Sequence, residues 1–266
     1  MRDRWNNFSD NYTEMINKKL SIQCAKEMHR HMELDSASSV LEVGAGAGIG
    51  SVDILGYLNA RSKAAVKKFH ATDLSPAMLA LAKERIKPET YPFPVVLAEA
   101  NALQLDAVAD ASVDRYMSTL VLQLVPDADA MLRESYRVLC VGGLAGFVIW
   151  GREANSGLFG LLVDALKEQG KPVPGFSSNF NLGRDVPALG QRIRAAGFAA
   201  YSVWPYVATI ETWSARAYVA FMAALYPDML EQDKELEARL GQLATEWLAA
   251  GKPIGLETYI VLAKKQ

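Results

Sequence analysis

Val40-Leu41-Glu42-Val43-Gly44-Ala45-Gly46-Ala47-Gly48-Ile49-Gly50 is an apolar strand that runs straight into a glycine turn, with an acid two residues before the first glycine. Without side chains at Gly44, Gly46 and Gly48 the backbone can turn tightly and approach a ligand closely. Spacing carries more information than glycine content. A dinucleotide fingerprint needs glycines at relative positions one, three and six. Counted from Gly44 the sixth position is Ile49, from Gly46 it is Ser51, and from Gly48 it is Asp53, so every register fails. A nicotinamide dehydrogenase is therefore disfavoured, and the pattern that remains is acid-x-Gly-x-Gly-x-Gly.

Three further stretches follow in order. Phe69-His70-Ala71-Thr72-Asp73-Leu74-Ser75-Pro76-Ala77-Met78-Leu79 reads as a short strand, an acid at its tip and then a helix. Ser75 suits an N-cap and Pro76 the first helical position. An acid at the end of a second strand can accept hydrogen bonds from both hydroxyls of a ribose, and its charge strengthens both. Next comes Ala98-Glu99-Ala100-Asn101-Ala102-Leu103-Gln104-Leu105, then the strand and loop Ser112-Val113-Asp114-Arg115-Tyr116-Met117-Ser118-Thr119-Leu120-Val121-Leu122-Gln123-Leu124-Val125-Pro126-Asp127. Glu134-Ser135-Tyr136-Arg137-Val138-Leu139-Cys140-Val141-Gly142-Gly143 closes the series.

Together these resemble the core of the class I S-adenosylmethionine-dependent methyltransferases, similar to the ubiquinone/menaquinone biosynthesis group, from about Ser39 to Trp150. Glu99 stands where the family usually has Asp, Gln104-Leu105 where it has Pro-Phe, and Cys140-Val141 where Lys-Pro is usual. The resemblance implies S-adenosylmethionine as cofactor and no metal. It implies that Gly44 and Gly46 border the methionine moiety, that Ala45 and Gly48 belong to the same cofactor-binding loop, with Glu42 positioning it, and that Asp73 holds the ribose. Leu74 and Met78 would sandwich the adenine. Glu99, Ala100, Asn101 and Ala102 would meet its edge, and Ser118, Thr119 and Leu120 would offer carbonyls near the ammonium.

The 266 residues are half hydrophobic and 22% charged, with a formal net charge of −2, as in ordinary globular proteins. No general basic face favours a nucleic-acid partner; Lys63, Lys67 and Lys68 read as a solvated helix end. No apolar run approaches the roughly 20 residues of a membrane span, and Met1-Arg2-Asp3-Arg4-Trp5-Asn6-Asn7 lacks a secretory signal's apolar core. A cytoplasmic protein is expected, with an organelle left open. Two cysteines, Cys24 and Cys140, exclude a cysteine metal cluster and hence radical iron–sulfur chemistry. Cys24 falls in the series Ile16, Leu20, Cys24, Met28, Met32, whose steps of four form one helical stripe, so it reads as a small buried hydrophobe.

Alternating strands and helices predict an α/β fold with a mostly parallel sheet. Strands are expected at 39–43, 69–72, 95–98, 114–118, 144–149, 198–208 and 257–263. Helices are expected at 11–32, from the glycine loop to about 58, and at 76–86, 129–139, 158–169, 185–196, 214–225 and 231–250. The family implies a Rossmann-like seven-stranded sheet with the last strand antiparallel between strands five and six. A single domain is expected: a helical arm (1–38), the core sheet (39–210 and 252–266) and a helical lid insertion (211–251).

The acceptor side is less legible. A methyl sulfonium is already electrophilic, so orientation and exclusion of water suffice for an amine, a thiol or an acidic phenol, and no catalytic residue is named. His29, His31 and His70 are the only histidines. His29 and His31 are expected at the surface and His70 in the sheet. Tyr12, Gln123, Trp150, Tyr206 and Trp213 are the candidate acceptor contacts, with Tyr218 a further aromatic of the proposed lid. A small-molecule acceptor leads, followed by a protein or peptide acceptor and then a non-catalytic cofactor-binding platform. Oligomeric state is left open.

Overall fold

In the computed structural model, which describes residues 13–60 and 66–266, β1 (Ser39–Val43) sends Val40 into one core and Leu41 and Val43 into the other. A strand apolar on both faces belongs in a sheet interior. Accordingly β1 lies between β2 (Lys68–Asp73) and β4 (Val113–Thr119), parallel to both. With β3 (Val95–Glu99), β5 (Leu139–Trp150), β6 (Ala200–Thr209) and β7 (Gly255–Lys264), the seven-stranded order is β3-β2-β1-β4-β5-β7-β6. β7 runs antiparallel to both β5 and β6, as expected. From β1 the chain builds outward to β3, then returns to β1's other side at β4. That reversal leaves a crevice at the carboxyl ends of β1 and β4, where open α/β sheets bind ligands.

The helices are α1 (Ile22–His29), α2 (Ile49–Asn59), α3 (Pro76–Arg85), α4 (Ala128–Val138), α5 (Gly157–Glu168), α6 (Val186–Ala195), α7 (Ala215–Leu225), α8 (Pro227–Leu230) and α9 (Lys234–Ala249). α1, α2, α5, α7 and α9 contribute to the core on one face of the sheet, α4 and α6 to the core on the other. No helix among the described residues is long and apolar enough to cross a membrane.

The leading helix opens as a π-helical segment, Thr13–Ser21, before continuing as α1. Tyr12 lies outside the described residues. The stripe of Ile16, Leu20, Cys24, Met28 and Met32 is buried throughout, and burial pushes the Cys24 thiol up to about 12. His29 departs from the expected surface position. It is buried, with Nδ1 2.7 Å from Asp53 Oδ2 on α2. Its partner is distant in sequence, so helical periodicity alone gave no sign of it. His31 is half exposed beside Glu27 and His70 is buried in β2. Burial lowers His70 to about 4, so it is neutral near pH 7.

β5 starts earlier than expected. Leu139 already pairs with Val113, and the ladder resumes between Arg115 and Leu144 after an excursion at 140–143. The helices of segment 211–251 pack on α5 rather than on the strands that form the crevice. The Tyr218 hydroxyl donates to the Leu158 carbonyl at 2.9 Å, and the Trp247 ring lies against Gly157.

Gly183 closes the loop after α5 onto the end of β5. A Cβ there would lie 2.1 Å from the Trp150 carbonyl oxygen and 2.6 Å from that of Gly151. Those neighbours are backbone and cannot rotate away. Gly183→Ala should therefore destabilise the protein by about 2 kcal/mol or more, read as a lowered urea midpoint at unchanged slope.

Candidate functional site

The chain reverses at Val43 through three residues with positive φ: Gly44 (75°), Gly46 (56°) and Gly48 (77°). At Gly44 glycine is required twice over, since a Cβ there would also sit 2.2 Å from Val121 Cγ2. The Gly44 and Ala45 amides both donate to the Thr72 carbonyl, at 2.8 and 2.9 Å, which pins the loop over the end of β2. Asp73 then clasps two elements. Its Oδ2 accepts from the Gly46 amide at 2.8 Å and its Oδ1 from the Ser75 amide at 2.9 Å. Ser75 caps α3 by accepting from the Met78 amide at 3.2 Å, with Pro76 in the first turn. Burial raises Asp73 above its ordinary value, against the amides of Ser75, Gly46 and Leu74, which pull it down.

A cavity of about 530 Å³ opens at this crevice. Of the residues expected at a cofactor site, Gly44, Gly46, Asp73, Leu74, Met78, Ala100, Asn101, Ala102, Thr119 and Leu120 line it. The sequence reading missed Val43, Leu103, Val121, Leu124, Val125 and Pro126, which line it too. Their apolar character is equally that of core residues, so only their position marks them: Val43 at the end of β1, Leu103 after β3, and Val121, Leu124, Val125 and Pro126 after β4. Leu120 holds φ at +59°, a region that costs a non-glycine residue energy, and its amide donates to the Val148 carbonyl at 2.8 Å.

Five expected residues stand off the cavity wall. Ala45 is buried, Gly48 begins α2 against Ala82 and Ile86, and Glu99 is exposed at the end of β3. Ser118 is buried and donates to the Val43 carbonyl at 2.9 Å. Glu42 sits behind the loop, buried on the face covered by α1 and α2, where it accepts a hydrogen bond from the Ser51 hydroxyl.

The candidate acceptor residues are not gathered in one place. Both polar atoms of the Gln123 side chain are buried without a hydrogen-bond partner. Trp150 stacks on Phe159 at 4.8 Å and meets Phe180 edge-on at 4.7 Å. Tyr206 lies on β6, with burial raising its hydroxyl beside Cys24, Glu27 and Arg30 of the leading helix. Trp213 is 90% exposed.

A mostly parallel seven-stranded sheet with an antiparallel β7, and a crevice at the β1/β4 reversal, defines a Rossmann-like methyltransferase fold. Residues 41–147 match a family model described as a methyltransferase domain. The chain is 42% identical over 84 residues to the ubiquinone/menaquinone biosynthesis C-methyltransferase of Nitrobacter hamburgensis, covering 31% of this chain and 33% of that protein. It is 31% identical over 167 residues to the malonyl-[acyl-carrier protein] O-methyltransferase of Laribacter hongkongensis, covering 60% of this chain and 50% of that one. Among solved structures, phosphoethanolamine N-methyltransferase 2 of Haemonchus contortus, in complex with S-adenosyl-L-methionine, superposes with a TM-score of 0.56. That match has 18% identity and covers 92% of this chain and 53% of the other. The chain thus spans half or less of the length of these curated relatives. Its core, residues 41–147, is a methyltransferase domain of the class I S-adenosylmethionine-dependent type.

Burial pushes Glu42 from the ordinary carboxylate range up to about 8; the Ser51 hydroxyl opposes the rise, and the Asp73 and Asp53 charges add to it. Between the two values the folded protein keeps a proton that the unfolded chain releases, so this group lowers stability as pH rises toward 8. Glu42→Gln removes that slope. In ligand-free protein, the variant should gain on the wild type by roughly 1.4 kcal/mol for each pH unit across this window, as measured by urea denaturation at a series of pH values. A constant difference between the two proteins would refute the assignment.

Proposed function

We propose that the protein transfers the methyl group of S-adenosylmethionine to a small-molecule acceptor by in-line displacement. The observation that carries this reading is a single carboxylate, Asp73, set into the wall of an otherwise mostly apolar cavity against a three-glycine turn. Such a wall suits a nucleoside: Leu74 and Met78 offer apolar surface to the base, and Asp73 offers acceptors to the two ribose hydroxyls. Ala100, Asn101 and Ala102 face the base edge, with Glu99 just beyond. The loop at Gly44, Ala45 and Gly46 would meet the amino-acid portion through its backbone, the space of a Gly44 side chain being taken by Val121. Glu42 and Gly48 hold that loop from behind. Ser118, Thr119 and Leu120 present the end of β4 to the ammonium.

When bound, S-adenosylmethionine supplies the electrophilic methyl group. The protein's part is to hold the acceptor in line and keep water away. Val121, Leu124, Val125 and Pro126 provide a dry wall on the β4 side. The Gln123 amide, next to them in sequence, has a donor and an acceptor free to orient a polar group of the acceptor. Segment 211–251 acts at one remove, backing α5 and the aromatic cluster around Trp150 as the outer wall of the acceptor space. The small-molecule reading draws support from the quinone-pathway and malonyl-carrier methyltransferases that the core resembles.

Asp73→Asn should weaken binding of S-adenosylhomocysteine by about 2 kcal/mol, some 30-fold, measured by calorimetry; wild-type affinity would refute the ribose role. Labelled methyl from S-adenosylmethionine, incubated with the protein and a cell extract, is expected in the small-molecule fraction. Label confined to precipitated protein or nucleic acid would refute the acceptor class.

A further inference from the structure

The first described turns of the leading helix bear a polar line that no core packing requires. Thr13, Asn17 and Ser21 succeed one another at intervals of four, beside the apolar stripe of Ile16 and Leu20, and all three are buried, at 4%, 8% and 7% exposure. Polar groups are normally buried only with partners. Yet the Thr13 hydroxyl oxygen is buried without one, and no hydrogen bond is recorded for the Asn17 side-chain amide among the described residues. This is also where the helix winds as π, a form that is rare and frequently found at functional sites. The segment ends against the glycine turn: a Cβ on Gly46 would lie 3.6 Å from Asn17 Nδ2. Gly46 is the residue whose amide Asp73 holds, so Asn17 and Asp73 flank the same peptide of the turn.

We propose that Asn17 is a positioning residue for the amino-acid end of the cofactor, with the Asn17 amide donating to its carboxylate. This rests on the reading of the cavity as an S-adenosylmethionine site and adds the leading helix to that site. The Asn17 amide supplies a neutral donor beside the turn, where an anionic group gains from a hydrogen bond without a full countercharge being buried.

The test is calorimetric titration of the full chain with S-adenosylhomocysteine and with 5′-methylthioadenosine, which keeps the nucleoside and lacks the amino-acid end. Asn17→Ala should weaken S-adenosylhomocysteine about 10-fold or more and leave 5′-methylthioadenosine unchanged. Asn17→Asp, close in shape, should weaken S-adenosylhomocysteine further than alanine does, because it sets one carboxylate against another. Equal losses for both ligands would mean that Asn17 merely shapes the turn, and would overturn the proposal. So would unchanged affinities, or tighter binding by Asn17→Asp. A wild-type chain that binds neither ligand would overturn the proposal together with the reading of the cavity, whereas the variant outcomes overturn the proposal alone.

Discussion

The Asp73 carboxylate accepts one hydrogen bond from the turn after β1 and another from the cap of α3, at Gly46 and Ser75. Two peptide groups at adjacent strand ends are thereby fixed by one charged side chain, and hydrogen bonds to a charge are the stronger kind. Its glycines forgo side-chain contacts, and their backbone freedom has to be offset by fixed partners. Thr72, one residue earlier on the same strand, adds two more anchors through its carbonyl, and the Arg85 guanidinium donates to the Ala47 carbonyl. The end of β2 therefore both shapes the turn after β1 and presents an acidic group at the cavity.

Beneath the turn the protein accepts an unfavourable burial. Glu42 is enclosed between β1, α1 and α2, with the Ser51 hydroxyl as its hydrogen-bond donor, and burial favours its neutral form. Period-two alternation puts it there: Val40 and Glu42 share a face, and that face is the one the leading helix covers. The same helix brings His29 to Asp53 and Asn17 to the turn. The leading helix is thus packed into the site from behind and is continuous with its core.

The two sides of the site differ in how they are built. The proposed cofactor side consists of strand ends and short turns, placed by the ladder register itself; Asp73 and Glu99 are register partners across β2 and β3. The proposed acceptor side depends on loops and on helices that lean on one another, with Trp150 in an aromatic stack and Trp213 in solvent. Rigid elements carry the shared chemistry, and the connecting segments vary in what they present.

The strands and the turn were legible because each is a local pattern: apolar runs, a glycine spacing, a cap at Ser75 and an acid at a strand tip; the antiparallel course of the closing strand came from the family resemblance, since no local pattern sets a strand's direction. Their positions shifted by only a residue or two, except at β5, where pairing across to Val113 extends the strand back to Leu139. Ten cavity residues followed from the same motifs. Tertiary structure alone decided the rest, because those contacts join residues with no sequence relation. Asp53 buries His29, Val121 excludes any side chain from Gly44, and the Trp150 carbonyl excludes one from Gly183. Whether an apolar residue after β4 lines a cavity or fills a core, and whether an aromatic in the insertion is buried like Tyr218 or exposed like Trp213, depends on what packs against it. That is a property of the assembled layers and leaves no periodicity in the chain.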